Sequence, residues 1–168
     1  MPSQPGNGLV SYVGTYAGLT NINAPRPGEI LPVPDGIDDS LIPGQPSRVT
    51  GEVFLNADFA DNRVNGAIYN RELTDQGLAL QDVILVMTEI RSNGSFDGNA
   101  ESIDHSTIGS YGGAFGGTGA TSAAGGVRLE NHIPETDREI EWGTFVLSRC
   151  GTPGASLTIC DLVSPDAP

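Results

Sequence analysis

A chain of 168 residues holds one domain with a real core and falls short of two. Its eight basic residues are all arginines and face 21 carboxylates, for a formal charge of −13; that excludes lysine-dependent phosphate loops and Schiff-base chemistry and the basic surface that nucleic acid or an anionic membrane requires. Apolar residues make up 38% and aromatics 6%, beside 23 glycines and 12 prolines, a strand-and-turn composition with a modest core of Val, Ile, Leu and Ala.

Residues 1–8 form a polar, Pro/Gly-rich lead-in whose Met1-Pro2-Ser3-Gln4-Pro5-Gly6 has neither the basic start nor the apolar middle of an export signal. Leu9 to Leu19 alternates, with Val10, Tyr12, Gly14 and Tyr16 on one face and Ser11, Val13, Thr15 and Ala17 on the other, which predicts a strand. Residues 21–47 carry Pro25, Pro27, Pro32, Pro34, Pro43 and Pro46 and predict a long irregular loop, because proline removes ladder donors and turns its predecessor away from helix. Loops beyond about 15 residues are uncommon unless functional or disordered. Ile30, Leu31, Val33, Ile37, Leu41 and Ile42 give this one an apolar side for packing, and they are the candidate partner-binding residues.

Val49 to Phe59 and Val64 to Asn70 alternate around the turn Asp61-Asn62, a β-hairpin. Leu78 to Arg91 is richly β-branched and reads as one strand, and Asn93-Gly94 turns it into a shorter strand from Ser95 to Ile103. Two glycine-rich strands follow, Tyr111 to Gly117 and Ala120 to Leu129, with single large side chains set among glycines. Glycine inside a strand costs about 0.5–1 kcal/mol relative to alanine, so a fold keeps it where a sheet bends sharply or another backbone comes close. Glu130 to Asp137 reads as a turn, and Glu139 to Arg149 as a last strand with Ile140, Trp142, Thr144 and Val146 on one face. The total is about eight strands and no convincing helix, the pattern of an all-β, eight-stranded antiparallel up-and-down β-barrel with one long Pro-rich loop. The barrel domain spans 9–149, and residues 150–168 form a cysteine-bearing C-terminal tail.

Gly51-Glu52-Val53-Phe54-Leu55-Asn56-Ala57-Asp58-Phe59 followed by Val64-Asn65-Gly66-Ala67-Ile68 resembles the second and third barrel strands of the transferrin-binding protein B and factor H-binding protein family of surface lipoproteins. Ser110-Tyr111-Gly112-Gly113-Ala114-Phe115-Gly116-Gly117, through Ala120 to Val127, resembles their glycine-rich hairpin. Where that family usually carries a glutamate this chain has Ser122, and Glu141-Trp142-Gly143-Thr144-Phe145 corresponds to the closing strand. The resemblance covers roughly 9–149 without the 21–47 loop and the tail. It implies an eight-stranded barrel that binds proteins on a bacterial surface, and it transfers no binding residue.

Catalytic and metal-binding readings are weak. Asp104-His105-Ser106 holds the members of a hydrolase triad, but adjacent residues on an extended chain point to opposite sides and cannot line up nucleophile, base and orienting acid. His105 and His132 both fall in predicted turns, where solvent-exposed positions are expected. Asp35, Asp38 and Asp39 lack the EF-hand spacing and its closing glutamate, so they read as a solvated acidic loop. Tyr12, Tyr16, Phe115 and Trp142 could line a ligand cavity, although a barrel of this size more often fills itself with side chains. Cys150 and Cys160 enclose Gly151, Pro153 and Gly154; the alternatives are a local disulfide, worth about 2–3 kcal/mol, or two buried thiols, and the turn-rich spacer favours the disulfide.

The sequence therefore points to a non-catalytic binding barrel without a cofactor or bound metal, recognising a protein partner through loops at a bacterial cell surface or in the periplasm. No segment is apolar enough for a membrane-spanning helix of about 18–20 residues. A virion structural protein, a capsid decoration or tail component on the same barrel, also fits, since neighbouring subunits in an assembly can order Pro-rich segments; a small-ligand carrier is the weaker alternative. The partner, whether another protein or further copies of the chain, and the oligomeric state are not written in the sequence.

Overall fold

The computed structural model describes residues 8–23, 36, 46–133, 136 and 138–163. Among these residues nine strands and one short helix follow one another: β1 (Leu9–Asn23), β2 (Pro46–Asp58), β3 (Arg63–Leu73), β4 (Leu78–Ala79), β5 (Val83–Glu89), β6 (Ser95–Glu101), β7 (Thr107–Gly116), β8 (Ser122–Glu130), β9 (Ile140–Arg149) and α1 (Leu157–Val163). The sheet runs β2-β1-β9-β8-β7-β6-β5-β3-β4, and a further β2–β3 pairing closes it. Every pairing is antiparallel. Eight strands are thus the staves of a closed up-and-down barrel, and β4 is a two-residue extra on β3.

The closing seam rests on β1, which pairs with β2 from Leu9↔Asp58 to Thr20↔Ser47 and with β9 from Tyr12↔Arg149 to Thr20↔Glu141. Its buried and exposed residues alternate from Thr15 to Thr20, with Tyr16 inside and Thr15, Ala17 and Leu19 facing out, whereas Ser11, Tyr12 and Val13 are all buried. The two predicted tight turns form as expected. Asp58 Oδ1 accepts the Ala60 and Asp61 amides at 2.9 and 3.2 Å before Asn62 turns with φ 54°, and Asn93 Oδ1 accepts the Ser95 amide at 3.0 Å beside Gly94 at φ 83°.

The glycine-rich pair also serves as its composition suggests. A Cβ on Gly125 would stand 2.2 Å from the Gly112 carbonyl oxygen and 2.4 Å from Phe145 Cζ. No real contact is that short, so glycine here lets two strands and a buried ring share one place.

Three expectations are corrected. Leu78–Arg91 is not one strand: it breaks at 80–82, where the Leu80 amide turns to the Arg71 carbonyl (2.8 Å) and the Gln81 carbonyl accepts Arg71 Nη1 (2.7 Å). The first strand continues past Leu19 to Asn23, and the second starts at Pro46, so both ends of the predicted 21–47 loop belong to the β1–β2 ladder. The tail contains a helix the sequence does not announce, because seven residues with Leu157 and Leu162 both exposed show no apolar stripe. It is held by a Cys150–Cys160 disulfide (Cα–Cα 5.7 Å), and the Ser11 hydroxyl on β1 is 3.2 Å from the Val163 carbonyl.

Candidate functional site

The lumen is filled with side chains, of different kinds at the two ends. Where β1 begins, Phe115 on β7 is the hub of an aromatic plug: its ring centroid lies 5.1 Å from each of Tyr12, Phe59 and Phe96. Tyr12 donates its hydroxyl to the Ala120 carbonyl at 2.6 Å, and burial pushes that phenol up to about 12. Leu55, Ile68, Leu85, Phe145 and Leu147 occupy the middle, all at most 2% exposed.

At the other end the filling is ionic. On β3 the register against β2 slips by one between Thr50↔Glu72 and Glu52↔Tyr69, with Asn70 at φ 49°. Such a bulge inverts the alternation after it, so Ile68 is followed inside by Arg71 and Leu73. Arg71 Nη2 donates to Glu141 Oε1 and Oε2 at 2.9 and 2.7 Å, and both side chains are fully buried. Tyr16 donates its hydroxyl to Glu141 Oε1 at 2.5 Å. His132 Nε2 lies 3.1 Å from both Glu141 Oε2 and Arg71 Nη2. Its Nδ1 stands 2.9 Å from Glu139 Oε1 but out of line for a hydrogen bond. Glu139 in turn accepts the backbone amides of His132 and Ile133, the latter at 3.0 Å, and the Thr136 hydroxyl at 3.2 Å.

One arginine and one histidine thus face two carboxylates, tying β3, β1 and the β8–β9 connection together. Burial alone would raise the Glu141 carboxyl; the His132 bond, the Arg71 charge and the Tyr16 hydroxyl outweigh it and hold Glu141 below the ordinary range. Burial first, then the Glu141 charge, pushes the Tyr16 phenol far up. Room for Tyr16 comes from Gly143, where a Cβ would stand 2.0 Å from the phenolic oxygen.

This cluster corrects two expectations. His132, expected in solvent, is 3% exposed at its side chain, because the carboxylates of Glu139 and Glu141 draw the ring inward. Trp142, offered as a lumen residue, faces outward and is 62% exposed, because the inward parity of β9 belongs to Glu141, Gly143, Phe145 and Leu147. Tyr12, Tyr16 and Phe115 are core residues. Nothing in the sequence singled out Arg71. The readable signal was period-2 spacing of Glu139 and Glu141 opposite a tryptophan, an alternation that by itself favours the reverse orientation.

The remaining candidates stay apart. Asp104 sits in an exposed turn where Ser102, Ser106 and the Ser106 amide all donate to its Oδ1, holding it down at about 2. His105, 76% exposed at its side chain, lies 3.4 Å from Glu101. Asp104, His105 and Ser106 form no catalytic line. Among the described residues no group of three or more His, Cys, Asp or Glu is arranged to hold a metal ion. Ile30, Leu31, Val33, Ile37, Leu41 and Ile42, like Asp35, Asp38 and Asp39, lie outside the described residues.

Among the described residues an open depression of about 830 Å³ lies on the outside of the barrel, across β2, β1, β9, β8 and β7. The register aligns two rows across these strands: Arg48, Leu19, Trp142, Arg128 and Ser110 in one, and Thr50, Ala17, Thr144, Gly126 and Gly112 in the other. Arg48, Leu19, Trp142 and Arg128 of the first row are tall and the second row is small, so the wall dips beside its tryptophan. Arg128 lies 5.3 Å above the Trp142 ring and pairs with Glu130, while Arg48 pairs with the buried Asp75 at 2.6 Å.

No family model matches the chain, and no curated protein matches its sequence. Among solved structures it is similar to intact Ap-TbpB, a transferrin-binding protein B with N and C lobes, at TM-score 0.52 and 18% identity over 90% of this chain and 32% of that one. It is also similar to a double mutant of the vaccine antigen transferrin-binding protein B from Haemophilus parasuis Hp5, at TM-score 0.51 and 18% identity over 87% of this chain and 26% of that one. The chain therefore spans between a quarter and a third of those proteins, and the likeness is one of fold.

Proposed function

We propose that this chain is a non-catalytic interaction barrel, working outside the reducing cytoplasm, that recognises a protein partner. The observation that carries this reading is the filled lumen. Aromatic rings close one end, an ion-paired cluster closes the other, and the aliphatic middle leaves the described interior to side chains, so recognition falls to the outer wall and the connections. The wall supports it by exposing Leu19, Trp142 and Val146 at 50, 62 and 69%. The fold shared with transferrin-binding protein B, whose name states that it binds transferrin, supports a binding role at the bacterial surface or in the periplasm. The disulfide supports an oxidising compartment.

The β1–β2 connection is the second recognition element of this proposal, with Ile30, Leu31, Val33, Ile37, Leu41 and Ile42 as its partner-facing residues. The test is cross-linking of the purified chain in the extracytoplasmic fraction of its source cells, then titration with each attached protein in purified form. A saturable complex with one such protein is expected. If no protein binds, and the chain instead assembles with itself or carries a small molecule, the reading falls to a structural or carrier role.

A further inference from the structure

From the register of the outer wall we infer that the depression across β2, β1, β9, β8 and β7 docks an apolar segment of a protein partner flanked by lysine or arginine. The inference rests on the protein-binding reading and gives it a surface and a partner chemistry. Its floor is apolar or small: Ala17, Thr144, Gly126 and Gly112 lie side by side, with Leu19 and Trp142 standing along one edge. Partly exposed tryptophan beside arginine is the composition of residues that dominate protein interfaces.

Charge decides what seats there. Each arginine of the depression already has its own carboxylate, Asp75 for Arg48 and Glu130 for Arg128, so the depression offers no net positive charge to an anionic ligand. Beyond its β2 end the next residue in register is the acidic Glu72, opposite Thr50 on β3; beyond its β7 end lies Asp97, opposite Gly112 on β6 and paired with Arg91. Glu52 lies opposite Thr15 on the neighbouring row. An apolar depression bordered by the carboxylates of Glu72 and Glu52 at its β2–β3 end, on a chain of formal charge −13, complements apolar side chains beside basic ones and repels both an acidic segment and a second copy of itself.

Backbone pairing is not the mode of recognition. The five strands of this wall are each paired on both sides, whereas β5 and β6 join only at Ile84↔Glu101 and Leu85↔Ala100, away from the depression, so a partner cannot extend the sheet along this wall. The contacts are made by side chains.

Trp142 is the single tryptophan of the chain, so its fluorescence reports on this surface alone. The probe is a short synthetic peptide alternating lysine with leucine, compared with lysine–serine and glutamate–leucine peptides of equal length. The lysine–leucine peptide is expected to shift Trp142 emission to the blue saturably, with binding weakened more than about tenfold by Thr144→Arg and measurably by Glu72→Lys. Thr144 is exposed, and Ala17→Arg is the second variant should Thr144→Arg misfold.

The proposal is overturned by no shift up to about 1 mM peptide, by an equal shift with either control peptide, or by a shift that survives Thr144→Arg and Ala17→Arg. It is equally overturned if light scattering shows copies pairing through Trp142 without peptide. If the peptides fail while excision of residues 24–45 abolishes a cross-linked partner, this surface is wrong and the protein-binding reading stands; if no partner exists at all, that reading has failed too.

Discussion

At the end where β1 begins, Phe115 is surrounded by Tyr12, Phe59 and Phe96, and the Tyr12 hydroxyl is satisfied by a carbonyl. At the opposite end Arg71, His132, Glu139, Glu141 and Tyr16 occupy a comparable position with charges and hydrogen bonds. Apolar packing is non-directional and accepts any ring of the right volume. A buried ion pair is directional and fails when one member is missing. The difference teaches that the aromatic end supplies cohesion, whereas the ionic end fixes register: Arg71 reaches Glu141 only because a bulge re-aims β3, and the β8–β9 connection is pinned through Glu139.

The largest effects come from breaking each end in turn. Arg71→Leu leaves Glu141 buried with Tyr16 and His132 but without its guanidinium, and is expected to lower unfolding free energy by about 3–5 kcal/mol in urea denaturation. Phe115→Ala at the other end is expected to lose a similar amount, about 3–5 kcal/mol, through the cavity at the hub of the plug. The two differ in repair. Adding Glu141→Leu to Arg71→Leu is expected to restore about half of the loss, because no uncompensated charge remains in that pair. An unrepaired double variant would place the stabilising role of this end in packing rather than charge.

A smaller effect separates the ends by shape. Gly143→Ala puts a methyl group where the Tyr16 hydroxyl lies, and about 1–3 kcal/mol is expected from the forced displacement. Hydrogen exchange should quicken first in the amides of 131–133 and 139–141 while 111–116 stay protected. Equal loss at both ends would mean that the barrel responds as one unit.

The smallest effect is a pH slope. The Glu141 carboxyl is held below its ordinary value of 4.5, so the unfolded chain takes up its proton at higher pH than the folded one. Its contribution is therefore complete above that ordinary value and is lost as pH falls through the folded one. Urea midpoints from pH 6 downward should decline less steeply in Glu141→Gln than in the parent chain. Phe115→Leu, which changes no titrating group, should leave the slope as it was.

Much of the fold was legible because period-2 alternation is a local property. Tyr12 and Tyr16 share a face in the sequence and in the barrel, the Asn93-Gly94 and Asp61-Asn62 turns fall between strands, and the glycines of 112–126 mark a close approach of strands and rings. The candidate sites were far less legible. A histidine in a turn reads as solvated until its carboxylate partners, seven and nine residues further on, are folded back onto it. The outer depression is a row across five strands and has no counterpart along the chain.

By itself, then, the sequence determined which residues share a face, how many staves there are, where most turns fall, and that the surface is acidic with no lysine. Only the tertiary structure decided which face of β9 is inside. Both of its faces mix apolar and polar residues, so local hydrophobicity does not choose between them; barrel closure does, by giving Tyr16 the space above Gly143 and giving Glu141 the guanidinium of Arg71. That choice buries the charges and turns Trp142 outward, because in a strand one inward side chain sends its neighbours to the opposite face.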